Sequence, residues 1–296
     1  MKLTNRAKRA KCADKAMTVV FYCVAGFFFL LLLALALHIL VGGFQGFTPE
    51  LLSFTKNGIG NQLFNTVYLV FLSLLISVPL GVLAGIYMAE YAKKGKITKI
   101  LRICIETLSS LPSIVVGLFG YLVFIVMTGS KWSLMAGALA VSILSLPLIT
   151  TVTEDALHAL PDGYRHGSLG LGATRWQTVL HVMLPACMPR IITGVILAAG
   201  RGFGEAAALL YTAGMSTDIN WQNWNLSSPG CPLNPFRSGE TLALHIWASR
   251  TEALSPNAAQ IANFSSAVLV LLVFAFSIAA RLLSRRLDRK MGGAKG

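Results

Sequence analysis

The sequence predicts an all-α polytopic membrane protein with six transmembrane helices, and three observations carry that reading. Of its 296 residues, 55% are hydrophobic and only 12% charged, against about 25% charged in soluble domains. The apolar residues fall into blocks long enough to span a bilayer, which takes about 20 residues at 1.5 Å each. The formal net charge of +13 is gathered at the ends and in alternate loops, which assigns the basic excess to membrane orientation rather than to nucleic acid.

Residues 1–15 are a basic N-terminal segment, and the apolar run at 16–40 is the first helix. It exceeds the apolar region of a signal peptide, about 7–15 residues, so it is read as an uncleaved span. The second helix, 63–88, has no charged residue, and Pro79 and Gly81 are expected to kink it. A basic loop precedes the third helix, 105–128, where Glu106 and Pro112 read as interface or packing features. Lys131-Trp132 makes a tight turn into the fourth, 133–153. The fifth block, 188–214, contains Arg201 and Glu205, and the sixth helix is placed at 257–280 before a basic tail. No linker points to a second domain, so 16–296 reads as one transmembrane domain.

Orientation follows from the cations. Segments 2–15, 93–102, 165–190 and 281–296 hold 6, 5, 3 and 6 of the 25 Lys and Arg, whereas Lys56, Lys131, Arg237 and Arg250 lie on the other side and Arg201 lies within the membrane. Both termini and the stretch 161–185 are therefore expected in the cytoplasm. The segment 215–252 is external and carries Trp221, Trp224, Trp247 and Cys231. With few apolar residues for a core of its own, it is a gate, a partner-docking surface or an aromatic belt. The five cysteines show no metal or redox spacing, and Cys231 has no evident partner.

The polar stretch 161–185 reads as helix, glycine corner, helix. Pro161-Asp162-Gly163 opens a helix, with Asp162 placed to cap it, and Gly170 to Gly172 closes it. Thr174 caps a second helix, RWQTVLHVM, with Pro185 close after its end. Helical spacing puts Trp176, Val179, Leu180 and Met183 on one stripe. From the residues alone, the stretch serves either as a docking element or as an amphipathic loop on the membrane surface.

Its spacing resembles the EAA signature of bacterial ABC-importer permeases: His166-Gly167-Ser168, three residues, Gly172, nine residues, then Val182-Met183-Leu184-Pro185. His166 stands where that family carries Glu. The stretches at 86–96, 111–121, 171–185 (with Ala173 and Thr174) and 199–214 further resemble the permease A subunits of phosphate ABC importers. The resemblance implies a type I ABC importer permease fold, a bacterial inner-membrane location and a coupling helix at 161–185. It also implies a second permease, an ATPase dimer that binds ATP and Mg, and an extracytoplasmic phosphate-binding protein. The chain has no GxxxxGK[ST] loop, so no nucleotide or other cofactor is expected on it, and it reads as a conduit rather than an enzyme.

Charges at the depth of Arg201 and Glu205 are costly unless paired or hydrated. They either form an i, i+4 pair or line and gate an anion path, for which an Arg fork suits phosphate oxygens. Gly194, Gly200, Gly202, Gly204 and Gly214 serve either close packing or a hinge. The alternatives are a permease for another oxyanion or solute, an ATP-independent secondary transporter, and a membrane enzyme. The five His residues show neither a catalytic cluster nor a metal set.

Overall fold

The computed structural model describes residues 5–55, 58–93, 95–252 and 257–292. Residues 1–4, Lys56, Lys94 and Lys295, counted above for orientation, lie outside them. The described residues form helices and no strand: α1 (Asn5–Phe44), α2 (Gly60–Ile86), α3 (Lys96–Ser110), α4 (Ser113–Tyr121), α5 (Leu134–His158), α6 (Asp162–Gly170), α7 (Arg175–Thr178), α8 (Leu184–Phe203), α9 (Ala207–Thr212), α10 (Leu242–Thr251) and α11 (Ala258–Gly292). Wider π turns at Tyr87–Tyr91, Leu122–Val126 and Val179–Met183 continue α2, α4 and α7. Among the described residues five helices are long and apolar enough to cross a membrane, six if the bent α3–α4 pair counts as one span.

The centre is the α2–α5 pair, and small residues set its closeness. A Cβ at Gly81 would lie 2.8 Å from Ile149, and one at Gly85 2.7 Å from the carbonyl of Thr150, so only glycine allows this approach. Ser142 donates to the Ser73 carbonyl at 3.1 Å across the same seam. α8 closes on α5 where Gly194 meets Val152. α1 is peripheral, and none of its apolar stretch is buried, as expected for a lipid-facing helix. It is held near its end, where Gly43 abuts Ala267 and Phe44 packs edge-on against buried Phe264.

Two expected spans prove discontinuous. The third, placed at 105–128, is α3 and α4 bent by 100°. The cause is Pro112: the residue before a proline is driven to extended backbone, and Leu111 sits at φ −65°, ψ 133°. The fifth, placed at 188–214, begins earlier, because α7, its π turn and α8 form one apolar helix, Arg175–Phe203. It then breaks at Gly204–Ala206 before α9. The other spans start or end beyond the expected limits, and α2 continues across Pro79.

The 215–252 segment is no loose loop. It docks on the polar first turns of α2, opposite the α6–α7 hairpin along the bundle. Asn61 donates to the Thr217 carbonyl at 2.8 Å, Asn65 to the Glu240 carbonyl at 2.9 Å, and Leu242 N–H to Thr66 Oγ1 at 2.8 Å. Buried Arg237 is caged by Asn65 and the Pro232 carbonyl, and burial pushes its guanidinium down to about 10, so it stays charged at neutral pH. Cys231 is free and fully buried. Trp221 lies between Phe54 and Phe64 and donates to Asn61 at 2.9 Å, whereas Trp224 is exposed.

Overpacking a tight seam costs about 1–3 kcal/mol. Gly85→Val is therefore expected to lower the thermal unfolding midpoint of the detergent-solubilised protein, whereas Gly167→Ala, which meets open space, leaves it unchanged.

Candidate functional site

The hairpin is built from local signals. Pro161 occupies the N-cap of α6 without a side-chain bond; Asp162, expected as the cap, pairs instead with Arg165 at 3.0 Å. Gly172 takes φ +86°, a left-handed conformation that favours glycine. At the corner, Gly172 N–H bonds the Leu169 carbonyl at 3.0 Å and Ala173 N–H the Ser168 carbonyl at 3.3 Å. Thr174 and Gln177 form a reciprocal capping box that starts α7. Ser168 and Thr178 hydroxyls join the two limbs at 3.0 Å.

Two expectations about the second limb change. Pro185 does not end it: Pro185 lies in the first turn of α8, just after the π turn, and the helix continues. The π turn adds a residue to the helical repeat, so the expected single stripe divides. Val179 and Met183 are buried beneath the hairpin, while Trp176 and Leu180 are exposed beside Leu171, whose side chain at 91% exposure is the most projecting of the corner. His166 and Gly167 lie on the exposed surface of α6, and Arg175 opens α7, also exposed.

Beneath the hairpin, charged groups from distant segments meet. Arg165 engages Glu90 at the end of α2, and that bond holds its guanidinium above the usual arginine value. Arg102 of α3 binds Glu154 of α5 at 2.5 Å, with His158 at 3.8 Å from the same carboxylate. A cleft of about 430 Å³ opens among Ala89, Glu90, His158, Arg165, His166 and Arg175. Sequence reading missed these pairs. The isolated Glu90 at the end of an uncharged span was the available signal.

Arg201 and Glu205 do not pair. Arg201 lies in the last turn of α8 and is exposed, with no ion pair or side-chain hydrogen bond among the described residues. Glu205 lies within the break at 9% exposure, and its Oε1 accepts from Ala208 N–H at 3.2 Å. It thereby satisfies one of the free amides at the start of α9. Of the glycines, Gly194 and Gly202 pack closely on Val152 and Val70, Gly200 meets open space, Gly204 forms the break, and Gly214 turns the chain at φ +79°. No cluster of three or more potential metal ligands occurs among the described residues.

Residues 81–293 match the family described as binding-protein-dependent transport system inner membrane component. The chain is 46% identical over 288 residues to a probable ABC transporter permease, YqgI, of Bacillus subtilis, covering 95% of this chain and 98% of the relative. It is 36% identical to the phosphate transport system permease PstA of Xylella fastidiosa over 53% of this chain and 55% of that protein. A solved bacterial alginate ABC transporter, in complex with its alginate-bound periplasmic protein, has a chain that superposes with a TM-score of 0.65 at 16% identity, covering 95% and 98% of the two chains.

A side chain with a branched Cβ at Gly172 is strained in the left-handed region by roughly 1–2 kcal/mol. Gly172→Val is expected to accelerate amide hydrogen exchange across 162–178 while leaving α2 and α5 protected.

Proposed function

Because the chain belongs to the family of binding-protein-dependent transport system inner membrane components and is a permease subunit of an ABC importer, we propose that its solute is inorganic phosphate. The observation that carries the solute is Arg201. A guanidinium with no ionic partner among the described residues sits where a membrane-spanning helix breaks, and charged groups within spans mark substrate paths. Its planar fork suits phosphate oxygens. The likeness to a phosphate permease supports the same reading.

In this reading the α6–α7 hairpin faces the cytoplasm, as do both termini. The positive charge in 2–15, 93–102 and 281–296 supports that orientation. The corner residues His166, Gly167, Ser168, Gly172, Ala173 and Thr174 present Leu171 and Trp176 to an ATPase subunit, and Leu184-Pro185 carries the limb into α8. ATP and Mg belong to that ATPase, a second permease completes the pore, and an external binding protein delivers the solute. Glu205 acts on the path indirectly, by capping α9 and fixing the break beside Arg201. A conduit must bind its ion weakly enough to release it, and a single exposed Arg with its nearest carboxylate occupied elsewhere meets that condition.

A second reading, a permease for another oxyanion or solute, is favoured by the B. subtilis relative, whose name specifies no solute.

Losing a hydrogen bond to a charged group costs about 1.5–3 kcal/mol, so Arg201→Gln is expected to reduce ATP-dependent phosphate uptake by about tenfold or more in proteoliposomes holding the whole transporter. Unchanged uptake removes Arg201 from the path; sulfate or molybdate uptake in place of phosphate assigns the second reading. In the same complex, a cysteine at position 172 is expected to crosslink to the ATPase. Transport by this chain alone would overturn the ABC reading.

A further inference from the structure

The two limbs of the hairpin are attached to the bundle in different ways. α7 runs through its π turn into α8, so the second limb is covalently one helix with a span. α6 buries none of its residues, and the 430 Å³ cleft lies along its inner side. Apolar packing therefore does not fix α6 to the bundle.

What crosses the cleft is Arg165. Its Nε donates to Glu90 Oε2 at 3.1 Å, and its Nη2 donates to the other carboxylate oxygen. Nη1 is held by Asp162 at 3.0 Å, which keeps the fork aimed across the cleft. The Glu90 side chain is only 10% exposed. A two-pronged, charge-assisted contact of this kind resists rotation as well as separation. Removing Arg165 would leave the largely buried Glu90 carboxylate without that partner, whereas Arg165 without Glu90 keeps Asp162.

Glu90 belongs to the π turn at the end of α2, and α2 is locked to α5 where Gly81 and Gly85 bring the backbones together. A push on Glu90 thus moves two helices as one body. We propose that the Arg165–Glu90 pair is the strut through which displacement of the hairpin reaches α2, alongside the covalent routes into α5, through 159–161, and into α8. Arg165 and Glu90 are positioning residues in this scheme, and the proposal rests on reading the hairpin as the ATPase-docking element.

The test uses the whole transporter in proteoliposomes, with radiolabelled inorganic phosphate as the probe. Glu90→Gln is expected to leave assembly intact and basal ATP hydrolysis within about twofold, while phosphate imported per ATP falls about tenfold, a range open to single positions that carry coupling. The double variant Glu90→Arg/Arg165→Glu is expected to restore most of that ratio. A second readout needs no solute: spin labels at exposed Val67 and Met127, with Cys12, Cys23 and Cys104 changed to Ser, report α2 movement against α4. ATP is expected to alter their spacing in the parent protein and not in Glu90→Gln. A wild-type import ratio with unaltered spacing changes in Glu90→Gln would overturn the strut. So would loss of assembly in both single variants without rescue by the double, since the pair would then be scaffolding. Failure of the parent complex to import phosphate would instead sink the solute assignment, and the label spacing would still decide the strut.

Discussion

In hydrocarbon an unpaired backbone amide or carbonyl has no water to turn to, and that constraint governs where this chain can bend. Its two breaks within the spans, at Leu111-Pro112 and Gly204–Ala206, are each provided for. Proline lacks an N–H and so brings one donor fewer to the first break. At the second, Gly204 and Glu205 amides close back on the Arg201 and Gly202 carbonyls at 3.2 and 3.4 Å, and the Glu205 carboxylate takes the Ala208 amide. The helices that follow the breaks pack together: a Cβ at Gly117 of α4 would lie 2.8 Å from Ala208 of α9, and Val116 and Ala208 share a core cluster against which Leu111 packs. At the breaks Glu205 is buried and Leu111 and Ala206 are half-buried, while Pro112 and Gly204 are exposed.

This explains the separate fates of Arg201 and Glu205. Four residues apart on an intact helix they would neutralise one another. With the helix ended at Phe203, the carboxylate is consumed by backbone and the guanidinium is left available. The bend therefore leaves Arg201 without an ionic partner among the described residues.

Much of the architecture was legible in the sequence because it rests on local chemistry. Hydrophobic blocks report span number, and Gly172 with Thr174 and Gln177 encodes a corner and a cap within six residues. The break at Gly204–Ala206 was only half legible: Gly202 and Gly204 offered a hinge, but the apolar run continuing to Gly214 read as one span. Pro112 was visible, but not the 100° turn it permits. The segment 215–252 looked coreless because its support is polar and lies elsewhere: Asn61, Gln62, Asn65 and Thr66 line one face at the start of α2, and the Arg237 and Glu240 they engage are more than 170 residues later. Arg165 and Glu90, 75 residues apart, belong to the same class of tertiary pairing that no window of sequence contains.

The π turn at Val179–Met183 also acts as a phase adjuster. One residue of α-helix corresponds to about 100° of rotation, so this single turn sets the angular relation between the exposed Trp176 face and the face of α8 that carries Arg201. Loss of one residue there would keep the hairpin and the span, yet would aim the docking surface roughly a quarter-turn away. Orientation between the two functional ends of the chain is thus stored in the length of one segment, independently of its composition.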